Sequence, residues 1–396
     1  MAGANASAQH AGRATSLRRR MPAISLIMLA LALGILLAMG LWRSPAPRFS
    51  HRGPITSIAF PPTGQTVATA DGTGVIKLWQ FATGDLQRML RGHTKWVSDI
   101  TFSPDGQLLA SASWDHTIKL WRARDGLLLR TLTDPNLVWD VAFAPDGQTV
   151  ASASEDGAIR LWRVRDGMLL QTFRSDTKAV YGVAFTPDGQ TLVSGGTDQT
   201  VKLWRVRDGA LLRTLAGHSG RILSVAVSPD GAVIASGAWD NTVKLWRASD
   251  GMLLRTLKGH AGRVFSVSFA PDGQRLLSSG EDGLARVWRV RDGVLLATMS
   301  AQQRQLVDCR IDQGWRVLRQ CRIESSPNLL VYDAAFSPDG RQMVMVDGLE
   351  MRVDPVVLPF GYLLNKSLLL LGGGVLLLLG VGVILGGVRY RQRRHL

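Results

Sequence analysis

Residues 92–121 read GHTKWVSDITFSPDGQLLASASWDHTIKLW. At its end, Thr117-Ile118-Lys119-Leu120-Trp121 alternates polar and apolar residues, the two-residue period of a half-buried strand. Upstream, Pro104-Asp105-Gly106 is a tight turn between short strands, since proline presets the first turn position and glycine accepts positive φ. Working outward, tryptophan recurs at 79, 121, 162, 204, 246 and 288, always 41 or 42 residues apart. The Pro-Asp-Gly turn recurs at 145, 187, 229, 271 and 338, with Pro62-Thr63-Gly64 as a first copy. A third turn, Arg-Asp-Gly, starts at 124, 165, 207 and 291, with Ser249-Asp250-Gly251 as a variant. Four strands per unit of this length is the spacing of a β-propeller.

The string Gly-His, Phe-Ser-Pro-Asp-Gly, Ser-x-Ser-x-Asp, Lys-Leu-Trp resembles the WD-repeat β-propeller family across about residues 47 to 355. The resemblance implies a buried histidine, serine, aspartate and tryptophan tetrad in each blade. A full set fits one blade, as His93, Ser113, Asp115 and Trp121, with Ala238, Gly196 and Gly280 at the serine position elsewhere. Asp134-Pro135 and Ser175-Asp176 replace Gly-His in two units. The expected fold is all-β, a seven-bladed propeller closed by an N-terminal strand. Its last unit lacks a fourth strand, and Pro47-Arg48-Phe49-Ser50-His51 aligns with the fourth-strand ends Arg213-Thr214-Leu215 and Arg255-Thr256-Leu257. An insertion, 300–328, falls between the sixth and seventh units.

Both ends of the 396-residue chain read as transmembrane α-helices. Residues 24–42 are an apolar run after Arg18-Arg19-Arg20, long enough to span as a signal anchor. A cleaved signal peptide is the alternative, with Ala38-Met39-Gly40 as a small-x-small site. Residues 363–388 form a glycine-rich span, and arginines follow it in the tail 389–396. Flanking arginines stay cytoplasmic, which puts the tails 1–23 and 389–396 inside. The propeller is thereby expected on the extracytoplasmic, periplasmic side of a cell (inner) membrane, in a bacterial chain. That compartment favours a Cys309–Cys321 disulfide around Trp315; two free thiols would instead indicate a reducing one.

The net charge of +15 has three ordinary explanations: nucleic acid, an anionic surface or an acidic partner. Nucleic acid does not suit an extracytoplasmic domain. The arginines of the Arg-Asp-Gly turns either meet anionic lipid or pair with their aspartates, and both readings stand. No catalytic constellation, metal-ligand spacing or cofactor motif is present, so the chain reads as a non-enzyme without a cofactor. In the resembled family, contacts often come from the start of the first strand and the residue before the tetrad aspartate. Those positions hold Trp96, Trp114, Trp139, Tyr181, Trp239, Phe265 and Tyr332, with Arg221 and Arg263, the residue types of interface hot spots. Packing of some rings into the channel or between blades is the alternative. The leading functional expectation is a membrane-anchored scaffold binding a protein partner through the face away from the bilayer. An accessory subunit docking through its glycine-rich span comes second, and a transmembrane sensor third.

Overall fold

The computed structural model describes residues 49–175, 178–300, 305–309, 321–324, 330–347 and 350–355. These form seven four-stranded antiparallel sheets and one two-stranded ribbon. Six sheets are each made from one contiguous stretch: 55–91, 97–133, 138–174, 180–216, 222–258 and 264–300. We number these one to six in chain order. The inner strand of each packs against the next, and Val331–Phe336 packs against both Val264–Phe269 and Ile55–Ala59, so the sheets close into a ring.

The remaining sheet is a composite. Val331–Phe336, Gln342–Asp347 and Glu350–Pro355 supply three strands, and Phe49–Ser50 supplies the outermost. Phe49 stands opposite Met351 and Ser50 opposite Glu350. The expectation of a seven-bladed propeller with a transmembrane helix at each end therefore needs correction. Six sheets are complete repeat blades, whereas the composite lacks the repeat's tryptophan and is no seventh repeat. Among the described residues there is no helix, and none long and apolar enough to cross a membrane. The two segments read as spans lie outside the described residues.

The tryptophan rule has a simple physical basis. Each indole is buried between sheets, and a buried N–H must find an acceptor. Six indole Nε1 atoms donate to a hydroxyl ten residues earlier, from Trp79 to Thr69 and from Trp121 to Ser111 onward, at 2.8–2.9 Å. The period in the sequence is thus the period of one buried bond.

A second set of bonds joins the sheets near the central channel. Ser57 Oγ accepts from Ile100 N–H, Asp99 from Val141, Asp140 from Val183, and Ser224 from Val267. Asp333 accepts from Ile58 at 3.0 Å and joins the composite to the first sheet. Two links differ: Gly182 offers no acceptor, and a Cβ there would come within 3.0 Å of Val225 N, while between the sixth sheet and the composite Ser268 Oγ donates to the Ala334 carbonyl instead.

The ribbon pairs Gln305–Cys309 with Cys321–Glu324, and its register sets Cys309 opposite Cys321. The side chains of both cysteines, and Trp315, lie outside the described residues.

Candidate functional site at the channel mouth

The tetrads are more numerous than the sequence suggested, and their hydroxyl is a different residue. His93 Nδ1 lies 2.8 Å from Asp115, and its Nε2 lies 2.7 Å from Ser111, which also takes the Trp121 N–H. Ser113 is not the tetrad serine; it donates to the Trp96 carbonyl at 2.9 Å and accepts from Asp115 N–H. Both serines lie on one strand face, two residues apart, and Ser111 is the one opposite Lys119, within reach of the indole. With the position corrected, His218-Ser236-Asp240-Trp246 and His260-Ser278-Asp282-Trp288 are complete. The first sheet uses His51, Thr69, Asp71 and Trp79. In the third sheet Asp134 takes the histidine's place and pairs with Arg160 at 3.0 Å.

These networks set an acid limit on stability. Burial would raise the Asp115, Asp240 and Asp282 carboxyls, but hydrogen bonds from their histidines and neighbouring groups outweigh it and hold all three well below the usual range. Groups depressed in the folded state stabilise it above their unfolded pKa of about 4 and lose that contribution as pH falls. Desolvation also lowers His93, so as pH falls through about 6.5 the unfolded chain takes up a proton more readily than the fold does. The urea midpoint is therefore expected to fall from pH 7 to 5 and more steeply below 4; a midpoint flat to pH 3 would contradict it.

On this face each inner strand has a bulge at its second residue: Thr56, Ser98, Trp139, Tyr181, Leu223, Phe265 or Tyr332. A bulge leaves one residue out of the ladder and re-aims its side chain. Four of the seven are aromatic, and they sit at the channel mouth.

The rings touch in sequence around that mouth. Tyr181 meets Trp139 edge-on at 5.1 Å, and Trp139 meets Trp114 at 5.0 Å. Trp114 stacks on Trp96 at 5.3 Å, Trp96 meets Tyr332 at 6.0 Å, and Tyr332 stacks on Phe265 at 5.7 Å. Gly72 makes room for this arc, because a Cβ there would come within 2.8 Å of the Trp96 ring. All six rings are partly exposed. The gap in the arc holds Trp239, with the Arg221 and Arg263 guanidinium groups 4.6 and 3.9 Å from its ring centre. Arg263 also lies 3.5 Å from Glu281. Every described residue of the predicted contact set thus falls on one face, and the rings make one surface.

Beneath the rings, a narrow cavity of about 110 Å³ is walled by Asp99, Asp140 and Asp333. Burial, then the charge and hydrogen bond of Asp140 and the charge of Asp333, push the Asp99 carboxyl well above its usual range. Burial raises Asp140 and Asp333 as well. Sequence reasoning missed these carboxylates. The signal was an aspartate two residues after the valine that starts the inner strand.

The opposite edge carries the arginine turns. Arg122, Arg163 and Arg289 pair with Asp125, Asp166 and Asp292 at 2.8–2.9 Å, and Arg205 with Asp208 at 3.5 Å. A groove of about 920 Å³ lies there between the first two sheets, with arginine, glutamine and threonine as its polar lining.

Among known proteins, the WD domain, G-beta repeat family matches residues 44–80, 84–122, 126–163, 167–205, 209–247 and 251–289. That is six repeats where seven units were expected, and the matched stretches take up more than half of the chain. Each match ends just after a strand-borne tryptophan, so the repeat frame is offset from the sheets and the composite's three C-terminal strands fall outside it. Relatives are similar over a short stretch. The nuclear distribution protein PAC1 of Fusarium vanettenii is 44% identical over 46 residues, 12% of this chain and 10% of that protein. Its namesakes in Coccidioides posadasii and Gibberella zeae are 41% and 44% identical over the same length and the same shares. The chain thus spans about a tenth of the length of these relatives. By its repeats, the chain belongs to the WD domain, G-beta repeat family.

Proposed function

We propose that the protein is an interaction scaffold whose docking surface is the aromatic face at the channel mouth. One observation carries this reading: six rings from five different sheets touch in a continuous arc yet stay partly exposed. Rings buried for stability alone would be covered, whereas aromatic and arginine side chains on a rigid face are the anchors of protein interfaces. The ring of sheets fixes their spacing, so a partner meets a surface that needs no ordering on binding.

The test is chemical cross-linking in the native host followed by quantitative mass spectrometry. Full-length protein is compared with the Trp96→Ala/Trp114→Ala/Trp139→Ala variant and with an Arg124→Glu/Arg165→Glu variant on the opposite edge. A tenfold or greater loss of cross-linked partner in the tryptophan variant alone is expected, with its melting curve still cooperative. A single Tyr332→Arg variant gives the same readout with less loss of packing. Partner amounts that survive both face variants and fall in the arginine variant would overturn the reading.

A further inference from the structure

We propose that the channel mouth receives one basic side chain, a lysine or arginine, projecting from a docked segment of the protein partner. The inference rests on the docking reading above and names what that surface recognises.

A cluster of three carboxyls with no cation beside it among the described residues carries it. Carboxyls crowded into a confined site repel one another unless a cation or a bound proton relieves them. Asp99, Asp140 and Asp333 line one narrow cavity, and each accepts a backbone N–H from the next sheet. Those bonds fix their positions but supply no positive charge, and no salt bridge reaches any of the three among the described residues. Two arginines of this face, Arg221 and Arg263, stack on Trp239 instead.

Size narrows the ligand. Small-molecule sites run to about 300–1,000 Å³, and a water's share of liquid is about 30 Å³. The space at the rings, about 110 Å³, fits the end of one side chain, and a further space of about 480 Å³ that shares Asp99 and Asp140 continues toward the Pro-Asp-Gly turns.

The rim suits the same occupant. Aromatic faces attract ammonium and guanidinium groups. Trp139, Tyr181, Phe265 and Tyr332 line the cavity with the three carboxylates. Trp239 already shows guanidinium against indole at 3.9 Å on this face. The aliphatic stem would lie among the rings and the charged head beyond them.

A protein of net charge +15 repels basic ligands in general, so local attraction should stand out against that background. The probe is a random dodecapeptide library displayed on phage, selected on the full-length protein. Selected peptides are expected to share a lysine or arginine at one position, whose replacement by alanine weakens binding at least tenfold. Asp99→Asn/Asp140→Asn should weaken the same peptides at least tenfold while its urea midpoint at pH 7 stays level or rises, because like charges are removed. Peptides that need Trp96, Trp114 and Trp139 but bind the aspartate variant as tightly would overturn this inference and leave the docking face standing. A selection giving no peptide dependent on those tryptophans would overturn both.

Discussion

Phe49→Ala is expected to lower the free energy of unfolding by about 3–5 kcal/mol, the range for emptying a phenylalanine site in a packed core. Phe49 is 1% exposed, and its ring meets the Trp79 indole edge-on at 5.5 Å. It clusters with Ile55 and Val67 of the first sheet and with Val344, Val346 and Met351 of the composite. The strand that carries it pairs through two residues only, so ladder bonds alone hold it weakly. The side chain is the main fastening of that strand and a shared core residue of the two sheets where the ring joins. Urea unfolding followed by tryptophan fluorescence measures the effect. Phe49→Leu keeps most of the volume and is expected to cost under about 1.5 kcal/mol. A loss below about 1 kcal/mol for the alanine variant would show that the ring closes without this anchor.

Asp134→Ala is expected to cost about 3 kcal/mol, the lower end for breaking a buried ion pair. Both Asp134 oxygens lie 3.0 Å from Arg160 Nη1, and the carboxylate also accepts from Ser154 and from Asn136 N–H. Burial raises the Asp134 carboxyl even against the pull of Arg160, so its own ionisation is costly. Arg160 is held more firmly charged, because Asp156 also pairs with it. Removing Asp134 leaves the Asn136 N–H and Arg160 short of a partner, with Asp156 as partial compensation for Arg160, while Ser154 Oγ keeps the Leu137 carbonyl. Replacing the pair together, Asp134→Leu/Arg160→Met, should recover most of the loss, since apolar substitutes of similar volume remove both desolvation costs. A double-mutant cycle in urea checks this; additive losses from the two single variants would contradict the coupling.

Much of the fold was legible because one physical demand recurs. A tryptophan with a hydroxyl ten residues back marks a buried N–H and its acceptor, and turn residues between them mark the strand ends. The pairing of Phe49–Ser50 with Glu350–Pro355 lies where the alignment of 47–51 with fourth-strand ends put it. The tetrad serine was less legible. Ser111 and Ser113 share a strand face, and only the three-dimensional register decides which hydroxyl reaches the histidine. The same shift made Gly196, Ala238 and Gly280 look like losses, although Ser194, Ser236 and Ser278 stand two residues earlier and bond the indoles. The composite sheet hides because the chain's two ends build it without the tryptophan. The contact residues were readable as a set of aromatics, but their contact with one another was not. That depends on bulges, which leave no mark in the alternation of the strands.

The ring of inner strands, closed where Val331–Phe336 packs against Ile55–Ala59, also fixes how this architecture can change over time. An open array of repeats can gain or lose a unit at either end, because each unit answers only to its neighbours. A closed circuit has no end at which to edit. Deleting one repeat would widen the angle between every pair of sheets at once, and each inter-sheet bond would have to stretch together. Variation in this chain is thereby confined to side chains and loops, with the number of units held by geometry.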